Sequence, residues 1–326
     1  VSLPLKVYML GSGAIAVPVL SALMRTPGVI ELVGVGTQPD RPAGRNQLPV
    51  ATPLGAFAAA AGLAPDKWDS VNDGRLEAKL RSHTLDFMMV VSFGQLLKKP
   101  LLELPRFGCV NVHASLLPRY RGASPIVHAI ANGDAETGVS FMDMETGLDC
   151  GKVYRQLACR LDGTESAATL ETALGELAAS RMVEVLEAIA QGELLGTPQN
   201  PAAVTVTRKI RKSDGDIDWN LSAAAIEARV RAYAPWPGAG FTLPLAKGGQ
   251  RLILTRARVV PSAGGVPGEI IQADRRGWVA ACGRDALELL EVVPPGKKPM
   301  AGVNFLNGRR ENLTGMRLIT EPVNHG

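Results

Sequence analysis

The spacing of apolar positions divides the chain into two regions of different character. Lys6 to Leu10 is a short apolar run of the kind that fills a buried strand. Gly11-Ser12-Gly13-Ala14 then reads as a turn, Pro18 to Met24 as a helix and Ile30 to Val35 as a second strand. Strand, glycine turn, helix, strand is the opening of a doubly wound α/β domain. Gly36 to Val50 is polar and reads as a loop, while Thr52 to Ala61 and Asp73 to Ser82 are helix-prone. Phe87 to Val91 has the apolar run of a central strand. Asn111-Val112-His113 alternates, so in a strand both polar side chains share one face. Tyr120 to Pro125 turns into a short helix, Ile126 to Ala131, and Val139 to Met142 and Val153 to Cys159 read as strands. Glu165 to Ala190 has apolar spacing near 3.6 and predicts one helix, or two broken near Gly175.

The pattern changes after that helix. Residues 191–204 are rich in Gly, Pro, Gln and Asn and predict a linker. Ala223 to Tyr233 reads as a helix. Short strand-like runs follow at Phe241 to Leu243, Leu252 to Thr255, Gly268 to Gln272, Trp278 to Ala281 and Leu287 to Val293. Glycine and proline turns separate them at near-regular spacing, as in a small β-barrel. The expected architecture is α/β: a doubly wound, Rossmann-like catalytic domain over 1–190, a linker over 191–204, and a smaller OB-like β-barrel over 205–326. Trp219 and Trp236 read as core residues near the junction, and no internal repeat is visible.

Composition narrows the class. The chain has 326 residues, 46% hydrophobic and 20% charged, as expected of an ordinary globular protein with two cores. No apolar run reaches about 18 residues, so no membrane span is expected, and VSLPLKVYML is too short an apolar stretch for a signal peptide. Cys109, Cys150, Cys159 and Cys282 form no C-x-x-C pair, which points to reduced thiols rather than a zinc site. Residues 1–200 carry 17 Lys and Arg against 20 Asp and Glu, whereas residues 201–326 carry 18 against 11. A basic second half, with Arg208, Lys209, Arg211 and Lys212 at its start, suggests a polyanionic partner.

The richest chemistry lies in residues 108–151. Asn111 and His113 on one strand face and Asp149 in a loop between Gly147 and Gly151 can meet at one rim of a sheet. An amide to hold a developing oxyanion, an imidazole base and a carboxylate to orient it suit acyl transfer. Spacing alone leaves the blander roles open, since Asn-x-His also serves as hydrogen-bonded scaffolding and Asp149 as an Asx turn. Gly11-x-Gly13-x-x-Ala16 invites a dinucleotide site, but Asp40 falls beyond the ribose-binding position, inside a loop bracketed by Pro39 and Pro42. The glycines are assigned to a tight turn instead.

A longer string decides among these. Asn111-x-His113-x-Ser115-Leu116-Leu117-Pro118-Arg119, Arg121-Gly122-Ala123-x-Pro125-Ile126, Asp134 to Gly138 and Gly147-Leu148-Asp149-x-Gly151 closely resemble the folate-dependent formyltransferases. Further matches are Asp218-Trp219, Pro235-Trp236-Pro237, Gly296-Lys297-Lys298-x-Met300 and Leu306-Asn307-x-Arg309-Arg310. They extend the resemblance over both domains, towards the branch that acts on methionyl-tRNA; the glycinamide ribonucleotide enzyme lacks the second domain.

The resemblance implies formyl transfer from 10-formyltetrahydrofolate to the amine of a charged initiator tRNA, without a metal, by a cytoplasmic enzyme with no membrane partner. A monomer is expected. It implies catalytic roles for Asn111, His113 and Asp149, and a folate-binding turn at Ser115, Leu116, Leu117 and Pro118. Val91, Phe93 and Gly94 would border the pterin through backbone groups, Phe93 standing where the family often has Tyr. Thr37 to Arg45 matches the loop that meets the acceptor end of the tRNA, with Arg41 and Arg45 as contacts. Asn46-Gln47 stand where paired lysines are common. Other readings are formylation of a small amine such as an amino sugar nucleotide, hydrolysis of the same folate to formate, or a nucleic-acid-binding module with an inactive α/β domain.

Overall fold

The computed structural model describes residues 3–43, 47–245, 248–261, 264–309 and 311–320. The chain divides into two compact units. One holds the described residues up to Pro125 with Glu136–Arg160 and Thr169–Thr207; the other holds Ile126–Ala135, Leu161–Ala168 and the described residues from Arg208 onward.

In the first unit, buried apolar runs become strands and the segments between them become covering helices. The strands and helices are β1 (Leu5–Gly11), α1 (Ala16–Met24), β2 (Ile30–Thr37), β3 (Arg41–Ala43), β4 (Leu48–Val50), α2 (Pro53–Ala60), β5 (Asp66–Lys67), α3 (Arg75–Leu80), β6 (Phe87–Val91), α4 (Lys99–Leu102), β7 (Cys109–His113) and β8 (Arg121–Gly122). After α5 (Pro125–Ala131), which from Ile126 is counted with the other unit, they continue with β9 (Glu136–Asp143), β10 (Val153–Arg160), α6 (Ala167–Ala179), α7 (Met182–Ala190) and β11 (Val206–Thr207). The main sheet has the order β10-β9-β7-β6-β1-β2-β5. Its five central and right-hand strands pair in parallel, and β9 and β10 run antiparallel at the other edge. From β1 the chain first winds through β2 to β5, then returns to β6 on the other side of β1. The crevice at this reversal, above the carboxyl ends of β1 and β6, is where doubly wound sheets place ligands.

The differences from expectation have local causes. Gly36 to Val50 is not all loop: Arg41–Ala43 and Leu48–Val50 pair as a two-stranded hairpin. The segment over Glu165 to Ala190 breaks at Ser180-Arg181 rather than at Gly175. Gly175 sits inside α6, where an added Cβ would come within 2.9 Å of the Ile15 carbonyl oxygen, so the missing side chain lets α6 approach the turn before α1. A similar approach accounts for Gly13, whose Cβ would meet Ser92 Oγ at 2.6 Å.

The second unit is an antiparallel sheet of β12 (Ala239–Leu243), β13 (Gln250–Val260), β14 (Ile270–Asp274), β15 (Gly277–Ala281) and β16 (Ala286–Val293), in the order β12-β13-β16-β15-β14. The short β17 (Met300–Ala301) pairs with β16 and leads into α9 (Gly302–Asn307), neither of which the sequence pattern marked. Residues 315–319 bridge the two open edges: Ile319 pairs with Thr242 of β12, and Arg317 pairs with Glu269 beside β14. That closes the sheet into a barrel and removes its free edges. α8 (Ala223–Ala232) is capped by Ser222, whose Oγ accepts from Ala225 N, and buries Ala223, Ile226 and Val230 at helical spacing. Trp219, Phe241, Trp278 and Phe305 follow one another through the core at centroid distances of 5.3 to 5.9 Å. Trp236 does not join them. It is 59% exposed, in a turn where flanking Pro235 and Pro237 prevent a return to helix or sheet.

Candidate active site

β7 ends at the crevice and presents Asn111 and His113 on one face, opposite Met142 and Ser140 of β9. His113 is buried at 6% exposure. Its Nε2 lies 2.8 Å from the Tyr120 carbonyl oxygen. A carbonyl only accepts, so in the neutral ring the proton sits on Nε2 and Nδ1 carries none. Nδ1 lies 3.6 Å from Asp149 Oδ2. Gly122 N donates to that same carboxylate oxygen at 2.7 Å. Asp149 holds a left-handed backbone, φ +47°, which costs an L-residue about 1 kcal/mol unless neighbours fix it. The Asn111 side-chain amide has no hydrogen-bond partner among the described residues, and Asp149 Oδ1 has none either. The structure thus brings the imidazole and carboxylate together, with Asn111 two residues before His113 on the same strand face.

The Ser115–Pro118 turn is held from beneath. Ser140 Oγ donates to the Ser115 carbonyl at 2.7 Å and accepts from Leu117 N at 3.0 Å, and Gln156 Nε2 donates to the Leu117 carbonyl at 2.8 Å. Ser115 Oγ turns inward to the Arg119 carbonyl at 2.6 Å, and Leu117 is buried while Leu116 and Pro118 are half-buried. Ser140 and Gln156 were not picked out from the sequence; the only signal there was a hydroxyl within the apolar run of β9 and an amide in the adjoining edge strand β10. After β6, buried Val91 leads to Ser92 and Gly94 at positive φ. The Phe93 ring is 2% exposed within a core cluster, which settles it as a core aromatic, and its carbonyl accepts from Gln38 Nε2 at 3.1 Å. Ser92, Gly94 and Leu96 are the exposed residues of this loop.

The basic candidates divide. Arg41 is exposed on the hairpin and has no hydrogen-bond or ion-pair partner among the described residues. Gln38 N, at the foot of the hairpin, donates to Ser12 Oγ at 3.1 Å. Arg45 and Arg310 lie outside the described residues. In the second unit, Arg208 is held by Asp214 through two bonds of 2.7 and 2.6 Å, and this guanidinium holds the Asp214 carboxyl down at about 2. Lys209, Arg211 and Lys212 are exposed. A cavity of about 310 Å³ is lined by residues on either side of β6 in the chain, among them Leu80, Arg81, Leu85 and Leu104, and includes none of the candidates. Among the described residues, no group of three or more His, Cys, Asp or Glu side chains is placed to hold a metal ion.

Comparison with known proteins follows the same two parts of the chain. The Formyl transferase profile matches residues 5–186, and that of the Formyl transferase C-terminal domain matches residues 209–310. The chain belongs to the formyl transferase family. Methionyl-tRNA formyltransferase of Pseudoalteromonas translucida is 37% identical over 321 residues, 98% of either chain. That of Methylococcus capsulatus is 40% identical over 317 residues, 97% of this chain and 100% of its own. Among solved structures, HypX from Aquifex aeolicus, in complex with tetrahydrofolic acid, shares the fold with a TM-score of 0.62 at 14% identity. The match covers 94% of this chain and 47% of HypX, so the chain spans about half the length of that protein.

Proposed function

We propose that the protein transfers the formyl group of 10-formyltetrahydrofolate to the α-amine of methionyl-initiator tRNA, giving N-formylmethionyl-tRNA for translation initiation. The observation that carries this reading is identity of 37% and 40%, across both domains, to methionyl-tRNA formyltransferases. The site supplies chemistry of the right kind. The amine attacks the formyl carbon, and Asn111 donates its free amide N–H to the oxygen as negative charge develops there. Loss of one such donor typically costs about 3 to 4 kcal/mol of transition-state stabilisation. His113 Nδ1 takes the proton from the attacking nitrogen, because Nε2 is already committed to Tyr120. Asp149 stabilises the imidazolium that results. The carbon–N10 bond then breaks, and the proton passes to N10 of the departing tetrahydrofolate.

The folate lies against the Ser115–Pro118 turn and the backbone of Val91, Phe93 and Gly94. The tRNA is met by Arg41 and Arg45 near the reacting amine, and by Arg208, Lys209, Arg211 and Lys212 along its phosphates. No helix among the described residues is long and apolar enough to cross a membrane. The enzyme acts as a monomer in the cytoplasm, where charged tRNA and reduced folates are found. The test is incubation of the protein with 10-formyltetrahydrofolate and initiator tRNA charged with labelled methionine. Labelled N-formylmethionine after hydrolysis of the ester supports the reading. Formate release at the same rate with or without tRNA would replace it with a hydrolase.

A further inference from the structure

The catalytic carboxylate is fixed by a residue from the segment that the sequence marks as a linker. Residues 197–207 run as a strap across the first unit. Thr197 bridges Val153, Thr205 Oγ1 accepts from Tyr120 N at 2.7 Å, and β11 pairs in parallel with β8. In the middle of this strap stands Gln199. Its Nε2 donates to the carbonyl oxygens of Asp149 at 2.9 Å and Gly151 at 2.8 Å. Its Oε1 accepts from Arg121 Nε at 3.0 Å and Nη2 at 2.8 Å. Two carbonyls can only accept and a guanidinium can only donate, so the amide has one satisfactory orientation. Glutamate retains the Arg121 side of this set but cannot donate to the carbonyls. Asparagine is one methylene too short to reach both sides.

We infer that Gln199 is a positioning residue for formyl transfer, clamping the backbone on both sides of Cys150 so that Asp149 keeps its left-handed conformation and aims its carboxylate at His113 Nδ1. This rests on the reading given under Proposed function. Asp149 has no glycine's freedom at φ +47°. Gly122 N holds its side chain, but the backbone carbonyl of Asp149 is held by Gln199. Arg121 ties the clamp to the residue that precedes Gly122, so one side chain couples the strap, the Asp149 loop and the 120–122 turn. Gln199 touches none of the atoms expected to react.

The test compares Gln199→Ala, Gln199→Met and Gln199→Glu with the wild type in single-turnover transfer to methionyl-tRNA. Melting temperature and the dissociation constants of folate and tRNA are measured alongside. All three variants should lose the rate of the chemical step by about tenfold or more, with both dissociation constants within about twofold of wild type. Gln199→Glu is the decisive one, because it retains the Arg121 interaction and removes only the two donors. A wild-type chemical rate in Gln199→Glu overturns the inference, as does a loss confined to tRNA affinity or matched by unfolding. An inactive wild type on methionyl-tRNA would instead refute the underlying reading, and with it this role.

Discussion

At His113, the Tyr120 carbonyl engages Nε2 and leaves Nδ1 facing Asp149, 3.6 Å away. Asn111→Ala, His113→Ala and Asp149→Ala should each reduce kcat/KM for formyl transfer by about 100-fold or more while the protein remains folded. Combining them should cost far less than the product of the single losses. Near-wild-type turnover in any one, with an unchanged melting curve, removes that residue from the mechanism. A different residue makes the pH prediction. Asp143 ends β9, and burial first, then repulsion from Glu145, raise its carboxyl above the ordinary 3.8. Such a group opposes folding once ionised: the cost is absent below the unfolded value, grows through the folded value, and is complete above it. Asp143→Asn should therefore raise the melting temperature at about pH 8 and leave it unchanged at about pH 3. An equal gain at both would assign the effect to packing. The polar face of β7 was legible because alternation is a local signal; Ser140, Gln156 and Gln199 were not, because each works through backbone groups distant in sequence.

The β3–β4 hairpin shows how an element can be missed while its residues are noticed. Two three-residue strands separated by polar residues carry too little alternation to register. Pairing nonetheless lifts Arg41 into solvent, beside Leu48 at 63% and Val50 at 54% exposure. Arg41→Ala should reduce transfer to methionyl-tRNA by about tenfold, near 1.4 kcal/mol, and should cost less on a minimal acceptor lacking the stem. Equal losses on both acceptors would make the hairpin a structural element. The basic segment calls for a finer test than its sequence suggested, because Asp214 already engages Arg208. Neutralising Lys209, Arg211 and Lys212 together should weaken tRNA binding and reduce the slope of log K against log salt by roughly one for each phosphate left without its cation. Arg208→Ala should change that slope least; a larger effect than the triple variant would mean that Arg208 leaves Asp214 to bind phosphate. The parallel β8–β11 pair was not legible at all, since two-residue strands far apart in the chain leave no periodic trace.

On the scale of the whole molecule, the sequence conveyed what apolar runs and charge can convey. The doubly wound opening, the row of short antiparallel strands and the basic second half follow from such signals. Closure of the barrel by residues 315–319 does not, because it depends on backbone pairing by a segment without strand-like alternation. The candidate residues divide between the two units: the first contains Asn111, His113 and Asp149, and the second contains the Arg208 to Lys212 cluster. An enzyme built this way should select its acceptor by the nucleic acid more than by the amino acid attached to it. The most direct measurement is therefore kcat/KM for formyl transfer from 10-formyltetrahydrofolate to methionyl-initiator tRNA and to free methionine, under the same conditions. A preference for the tRNA of about a thousandfold or more, equivalent to roughly 4 kcal/mol, is predicted. Comparable values for the two acceptors would contradict the account.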